Sequence, residues 1–297
     1  MHIFVTGATG WVGSAVVRDL IDAGHTVLGM TRSEAGAAAL TAAGAAVHHG
    51  TLEDLDSLRS GAAGADAVVH TAFNHDFSQF AANCALDQRA IAALGAALEG
   101  STRPLLVTSG VAHLAAGRSA TEADAPPPNT AAYPRASEAA LAAVRARGVR
   151  GATVRLPPSV HGDGDHGFIP MLIAVARAQG ASAYVGDGQN RWPAVHRDDA
   201  ARVYRLALEH GVDATVYHAI AEEGVAFRDI AEVIGRRLNL PVVSKTPAQA
   251  ADHFGWFAAF VGADAPSSSA QTRASLGWEP RGPGLVADID QPGYFSV

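Results

Sequence analysis

Three glycines at intervals of three residues follow the first predicted strand directly, and they constrain the fold more than any other feature. The apolar run His2–Thr6 predicts the strand, and a helix is predicted over 14–22. Gly7 permits a tight turn, Gly10 lets the backbone approach a pyrophosphate without a Cβ in the way, and Gly13 lets the helix pack close to the strand. The helix N-terminus offers unpaired N–H groups to phosphate. The segment therefore predicts a dinucleotide-binding turn.

The remainder of the first half alternates short apolar strands with helices. Strands are predicted at 26–30, 45–48, 67–71, 104–108 and 151–155, and helices at 34–43, 53–59, 77–98 and 131–147. Short apolar strands separated by helices indicate a parallel sheet covered on both faces. We therefore predict a doubly wound α/β fold of the Rossmann type. Beyond residue 155 the alternation loosens, and the last fifty residues look irregular.

Composition excludes several classes of protein. The 297 residues carry a net charge of −7 and are 48% hydrophobic, so the chain lacks the basic stripe that nucleic-acid binding needs. No apolar run reaches membrane-spanning length, and the first strand begins at His2, which leaves no room for a signal peptide. The single cysteine, Cys84, forbids an internal disulfide. We expect a cytoplasmic protein that binds neither nucleic acid nor membrane.

Several segments, taken in chain order, resemble the extended short-chain dehydrogenase/reductase family. They are Thr6 to Gly13, His70-Thr71-Ala72, Thr108-Ser109, Arg155-Leu156-Pro157, Val195 to Ala200 and the tail Leu276 to Pro280. The resemblance implies an NAD(P)-binding Rossmann domain, assigned to residues 1–155 and 190–215, and a small substrate domain of residues 156–189 and 216–297. It also implies cofactor contacts from Thr6, Gly7, Thr9, Gly10, Trp11, Val12, Gly13, Leu52, Thr71, Ala72, Thr108 and Pro157.

The end of the second strand distinguishes NAD from NADP. NAD enzymes usually place a carboxylate there, which binds the ribose 2′-hydroxyl and would repel a 2′-phosphate. Here the residues are Thr31, Arg32 and Ser33, with no acid before Glu34. A guanidinium can bind a phosphate in bidentate fashion, and the two hydroxyls can add hydrogen bonds. We therefore predict NADP(H), the alternative being a solvated arginine on a loop.

The catalytic pattern of the family is incomplete in this chain. The resemblance implies a serine after the fifth strand, a tyrosine that protonates the substrate oxygen, and a lysine four residues later that lowers the tyrosine pKa. Ser109 and Tyr133 match, but Ser137 stands where the lysine is usual. Arg135 is two residues from Tyr133, so it faces roughly the opposite side of the helix and cannot simply replace the lysine. The chain resembles an atypical subgroup without the Tyr–Lys pair, so Tyr133 is either the proton donor or only a residue at a helix start.

Two histidines are the other candidates for proton transfer. His75 follows the fourth strand, and His161 follows the sixth strand, close to Asp165 and His166. Ligands of open α/β sheets bind at the carboxyl ends of the strands, and a neighbouring carboxylate can raise a histidine pKa. The alternative for each histidine is loop hydrogen bonding. No third helix-borne ligand pair or cysteine accompanies them, and we predict no metal.

These observations lead to one functional hypothesis and two alternatives. The first is an NADP(H)-dependent oxidoreductase that reduces a carbonyl, or an imine, of a small and fairly apolar substrate. The second, motivated by the missing lysine, is a non-catalytic NADP(H)-sensing protein. The third is a nucleotide-sugar epimerase or dehydratase, whose chemistry needs a tyrosine able to act as a base. The alanine-rich helices at 81–98 and 131–144 could form a homodimer or could face the sheet.

Overall fold

The computed structural model describes residues 1–131 and 133–296. Ala132, within the predicted helix 131–147, and Val297, the last residue of the predicted substrate domain, lie outside the described residues. The strands are β1 (His2–Thr6), β2 (Thr26–Thr31), β3 (Ala46–His49), β4 (Ala67–His70), β5 (Leu105–Gly110), β6 (Gly151–Leu156), β7 (Ser159–His161), β8 (Ser182–Val185), β9 (Arg191–His196), β10 (Val216–His218), β11 (Glu222–Ala226) and β12 (Val242–Lys245). The α-helices are α1 (Trp11–Asp22), α2 (Glu34–Ala42), α3 (Leu55–Ala63), α4 (Phe80–Leu98), α5 (Ser137–Arg145), α6 (Phe168–Gln179), α7 (Arg197–Glu209), α8 (Phe227–Leu238), α9 (Pro247–Phe254), α10 (Ala258–Val261), α11 (Ala270–Leu276) and α12 (Leu285–Ile289).

Seven parallel strands form the central sheet, in the order β10-β6-β5-β4-β1-β2-β3. The strands wind outward in both directions from the β1–β4 pair. Such a reversal opens a crevice at the carboxyl ends of the strands, where open α/β sheets bind their ligands. The prediction of a doubly wound Rossmann fold is confirmed.

Helices cover both faces of this sheet and bury an apolar core on each. On one face α1 and α7 pack together, with Val16, Leu20 and Tyr204 fully buried. On the other face α3, α4 and α5 bury Ile91 and Val144. Burial of such side chains contributes about 1.5–3 kcal/mol each. The sheet is thereby held rigid, and its carboxyl edge has a fixed geometry.

A second, smaller core lies in the C-terminal half. Strands β7, β9 and β11 form a three-stranded sheet, and β8 pairs with β12. Trp192, Phe227 and Phe254 are buried there among residues of α6, α8 and α9. Strand β10 pairs with β6 and belongs to the central sheet. No helix in the described part of the chain is both long and apolar enough to cross a membrane.

Two sequence-based expectations were wrong. The helix predicted over 131–147 runs only from Ser137 to Arg145, and Pro134 disfavours helical geometry in Tyr133, the residue before it. The last fifty residues are not irregular, since they contain α9 to α12. Helix α9 even has a capping box in which the Thr246 side chain and Gln249 bond each other's backbone N–H groups.

Candidate active site

The glycine motif forms a turn that only small residues can occupy. Gly7 has φ +66°, and a Cβ on it would lie 2.6 Å from the Ala72 nitrogen. A Cβ on Gly13 would lie 2.0 Å from the Gly7 carbonyl oxygen. At Gly10, whose N–H donates to the Gly7 carbonyl, the Gly7 oxygen is the one atom within 4 Å of such a Cβ, at 3.1 Å. The face above Gly10 is therefore open at the start of α1, which fits a pyrophosphate bound by helix N–H groups.

Trp11 connects the glycine motif to the smaller domain through a hydrogen bond and ring contacts. Its indole Nε1 donates to the Val160 carbonyl at 2.7 Å. The Arg197 guanidinium lies 4.0 Å from the centre of the indole ring, and the His166 ring meets it edge-on at 5.4 Å. Contacts of this kind contribute about 0.5–2 kcal/mol each. The loop after β7 is consequently held against the glycine motif.

The loop after β2 presents the residues predicted to select the cofactor. The Arg32 and Ser33 side chains are exposed, whereas Thr31 is buried. The Ser33 hydroxyl caps α2 by accepting from the Gly36 N–H at 3.1 Å, and its O–H remains able to donate. Thr31 supports the turn, because the Ser33 N–H lies 3.4 Å from the Thr31 hydroxyl oxygen.

The other predicted cofactor residues also lie at the carboxyl edge of the sheet or near it. The Thr71 hydroxyl donates to the Thr6 carbonyl at 2.8 Å, next to Gly13. The Thr108 hydroxyl donates to the His70 carbonyl at 2.8 Å and bonds the Tyr204 hydroxyl. The remaining positions are Thr9, exposed in the turn, Val12 and Leu52, half-buried, and Pro157, buried after β6.

Ser109 and Tyr133 line one pocket at the end of β5. The other lining residues are Gly110, Pro126, Pro127, Asn129, Arg135, Ser137, Glu138 and Ala139. Tyr133 is half-buried, and its ring meets the His113 ring edge-on at 5.7 Å. Burial raises the pKa of Tyr133 above its usual value, although the positive charge of Arg135 acts in the opposite direction. The phenol of Tyr133 therefore keeps its proton at neutral pH.

Ser137, at the position where the family has lysine, belongs to a buried hydrogen-bond network. Its hydroxyl donates to Asp87 Oδ2 at 2.6 Å, and His70 Nε2 lies 3.0 Å from Asp87 Oδ1. His70 Nδ1 continues the chain to the Thr6 hydroxyl at 2.7 Å. All four residues are at most 3% exposed. Burial alone would raise the pKa of Asp87, but the bonds from His70 and Ser137 hold it below its usual value.

Arg135 enters the pocket, contrary to the expectation that it faces away from Tyr133. Residues 133–136 precede α5 and are not helical, so the helical spacing argument does not apply to them. The Arg135 guanidinium lies 4.4 Å above the centre of the Phe73 ring, and its Nη2 donates to the Thr108 carbonyl at 3.4 Å. A positive charge therefore lies over the ends of β4 and β5.

The two candidate histidines occupy different environments. His75 is exposed at the surface, and its ring centre lies 5.3 Å from that of Phe73 and 6.3 Å from that of Phe77. Desolvation of its ring by neighbouring groups, together with the charge of Arg135, lowers the pKa of His75. His75 is thus a neutral group at neutral pH, which makes it a poor source of protons.

His161 is fully buried away from solvent, in a separate cluster. Its Nδ1 lies 2.8 Å from Asp288 Oδ2, and the Tyr294 hydroxyl donates to the same oxygen at 3.1 Å. Burial would raise the pKa of Asp288, but the hydrogen bond to His161 lowers it. The pocket beside Ser109 and Tyr133 is lined by other residues. His161 thereby joins α12 to β7.

Sequence reasoning missed the acidic partners in these networks. Asp87 lies 17 residues from His70 and 50 from Ser137, and Asp288 lies 127 residues from His161. No local motif connects such distant positions, so only the fold reveals them. Over residues 1–131 and 133–296, no three histidine, cysteine or acidic side chains converge in a way that could hold a metal ion.

Comparisons with known proteins identify the family. Residues 3–220 match the NAD dependent epimerase/dehydratase family. The chain is 49% identical over 298 residues to an uncharacterised protein of Schizosaccharomyces pombe, covering 99% of this chain and 100% of that one. It is 34% identical over 222 residues to the 2-alkyl-3-oxoalkanoate reductase of Stenotrophomonas maltophilia, covering 70% of this chain and 66% of the reductase.

A solved structure shows the same fold. The dTDP-glucose 4,6-dehydratase of Streptomyces venezuelae, with NAD bound, superposes with a TM-score of 0.78 at 20% identity, covering 100% of this chain and 97% of the dehydratase. The glycine cradle, the sheet order and these matches agree. The chain belongs to the NAD dependent epimerase/dehydratase family.

Proposed function

We propose that this protein is an NADPH-dependent reductase that acts on a carbonyl group of a small, apolar substrate. The observation that carries the proposal is the pocket in which Ser109 and Tyr133 meet, at the end of β5 in a family of NAD(P)-binding proteins. A hydroxyl pair of this kind can hold and protonate a carbonyl oxygen. The reductase activity named for the Stenotrophomonas relative supports the same reaction type.

Cofactor choice rests on the loop after β2. Arg32 and Ser33 are exposed beside the N-terminus of α2, and no carboxylate lies between the end of β2 and Glu34. A guanidinium, a hydroxyl and a helix N-terminus together favour the dianionic 2′-phosphate of NADP(H). An NAD site would place a carboxylate at the end of β2.

The site residues have distinct roles in the reduction. NADPH, when bound, supplies the hydride. The Ser109 hydroxyl donates a hydrogen bond to the substrate oxygen and orients it. Tyr133 gives its phenolic proton to that oxygen, and the raised pKa of Tyr133 keeps the proton in place until then. The reverse oxidation would need the phenolate, so reduction is the favoured direction at neutral pH.

Aromatic side chains lead from this pocket to the smaller domain. Phe73, beneath Arg135, packs near Phe80 with ring centres 6.2 Å apart, and Phe80 lies 5.8 Å from Phe77. Phe77 then stacks on Trp256 of the smaller domain at 5.0 Å. A surface of this composition binds alkyl or aromatic groups by excluding water. It supports an apolar substrate. Phe168 also reaches this surface, 6.4 Å from Phe77.

A sugar nucleotide would find five arginines of the smaller domain engaged with other groups of the chain. Such a ligand needs arginines that are free to pair with its diphosphate. Several arginines of this domain are already committed, Arg191 to Asp264, Arg228 to Glu232, Arg236 and Arg237 to Asp290, and Arg273 to the Ile220 and Ala221 carbonyls. This favours the reductase over an epimerase or dehydratase.

The test is turnover of NADPH with a graded set of ketones. We expect loss of NADPH absorbance with 2-alkyl-3-oxo esters, with KM falling as the alkyl chain lengthens, and slower turnover with NADH. Tight NADPH binding without turnover of any ketone, aldehyde or cyclic imine would contradict the proposal and favour the NADP(H)-sensing alternative. In that case a pull-down in NADP⁺ and in NADPH would reveal partners that depend on the redox state.

A further inference from the structure

Arg135 lies in the pocket with most of its hydrogen-bonding capacity unused. A guanidinium has five N–H donors, and the Arg135 Nη2 makes one long bond, 3.4 Å, to the Thr108 carbonyl. Arg135 Nε is buried without a hydrogen-bond partner among the described residues. Buried donors of this kind are costly unless a ligand meets them. The side chain therefore has donors ready for a bound molecule.

The acids nearest to this pocket are engaged elsewhere. Glu138 binds Arg155 through both carboxylate oxygens, at 2.9 and 2.8 Å. Asp87 is held by His70 and Ser137. Neither Glu138 nor Asp87 forms an ion pair with Arg135, so the positive charge of Arg135 is available to the pocket.

The position of Arg135 matches what the missing lysine would do. Its guanidinium is fixed between Phe73, after β4, and Thr108, on β5. These strand ends flank the crevice on the side away from β2, where the nicotinamide half of a dinucleotide lies when its adenosine half is at β2. We propose that Arg135 replaces the family's lysine, supplying the positive charge beside Tyr133 and a donor to the nicotinamide ribose. This inference rests on the proposed function and names a positioning residue for that site.

The charge of Arg135 acts on Tyr133 against several other groups. Burial raises the pKa of Tyr133, and Arg135 opposes that rise by favouring the phenolate. The other charged or titratable groups that face Tyr133 are Glu138 and Cys84, which raise its pKa, Arg155, which lowers it, and the neighbouring ring of His113. Neutralising Arg135 should thus move the titration of Tyr133 upward.

The experiment titrates Tyr133 in the full-length protein by its phenolate absorbance. Subtracting the titration of Tyr133→Phe isolates the signal of this tyrosine. We expect Arg135→Met to raise the midpoint by about one pH unit and Arg135→Lys to leave it within a few tenths of a unit. Arg59→Met, on the exposed face of α3, is the matched control and should change nothing. Circular dichroism checks that each variant is folded.

The pH profile of NADPH-dependent reduction gives the second readout. With Arg135→Met, kcat should fall about 10- to 100-fold, and the alkaline limb should move upward with the Tyr133 midpoint, whereas Arg135→Lys should restore both. An unchanged Tyr133 titration midpoint in Arg135→Met would overturn the inference. A lower kcat with an unmoved alkaline limb would also overturn it, because it would indicate a merely structural role for Arg135. A shifted midpoint in a protein that turns over no ketone would support Arg135 and refute the reductase.

Discussion

The hydroxyl of Ser137 donates to Asp87 at 2.6 Å in the protein interior, four residues after Tyr133. The resemblance to the extended short-chain dehydrogenase/reductase family implies a lysine at this position. Here Ser137, at the start of α5, bonds Asp87 on α4, and these two helices pack together. Asp87 in turn bonds His70 at the end of β4. The residue that stands in place of the lysine therefore belongs to a buried polar network, which links Ser137, Asp87 and His70.

Ser137→Ala should destabilise the fold. The substitution leaves one oxygen of the buried Asp87 carboxylate without its donor, which costs about 1–3 kcal/mol of unfolding free energy. Urea denaturation measures the difference. Ser60→Ala, which removes an exposed hydroxyl from α3, is the control and should cost less than about 0.5 kcal/mol. Equal losses for the two variants would show that the network contributes nothing.

Arg32→Asp should weaken NADPH binding far more than NADH binding. Losing a charge-assisted phosphate contact costs about 1.5–3 kcal/mol, and the new carboxylate repels the 2′-phosphate. Fluorescence titration with both cofactors gives the two Kd values. Equal losses for NADPH and NADH would remove the case for NADP specificity.

Gly10→Val should abolish cofactor binding while the fold survives. A Cβ at Gly10 is close only to the Gly7 oxygen, so the branched side chain would project into the open face above the turn. Gly64→Val is the control, because a Cβ there has nothing within 4 Å and the site is remote from the turn. Normal NADPH titration of Gly10→Val would show that this motif is only a turn.

Asp165 should make stability depend on pH. Burial raises its pKa from 3.8 to about 6, against a hydrogen bond from the Gly167 N–H at 2.7 Å. The folded chain binds this proton more tightly than the unfolded chain, so the stabilisation is complete below about pH 4 and is lost as pH rises through about 6. Asp165→Asn should therefore be more stable than the natural protein at pH 8, by on the order of 1 kcal/mol, and not at pH 4. Thermal unfolding at pH 8 and at pH 4 measures the stability difference between the variant and the natural protein. The same difference at both pH values would contradict the prediction.

The alternation of elements in the first half could be predicted because each strand is a short apolar run between polar turns. Val68 and Leu106 show why, since both are fully buried in strands covered on two faces. The glycine motif was equally informative, because its turn admits no Cβ at Gly7 or Gly13. These features are local, and a sequence records local features directly.

The environment of the site could not be predicted, because it depends on contacts between distant residues. Arg135 precedes α5, which begins at Ser137, and it reaches the pocket from a non-helical segment. Pro134 is a local sign that helical spacing does not hold at Tyr133. Thr246 and Gln249 form a capping-box pattern, a local sequence feature that predicts the start of α9. The predicted roles of Ser109 and Tyr133, the NADP(H) preference and the homodimer remain predictions.

Transfer of deuterium to an apolar ketone, from NADPH that carries deuterium at both hydrogen positions of the nicotinamide C4, tests the central proposal most directly. We predict one deuterium on the carbinol carbon of the product with the natural protein. Tyr133→Phe should lower the rate about 10²–10⁴-fold with little change in the Kd for NADPH, because only the proton-donating hydroxyl is lost. Product without deuterium, or an undiminished rate in Tyr133→Phe, would contradict carbonyl reduction at Ser109 and Tyr133.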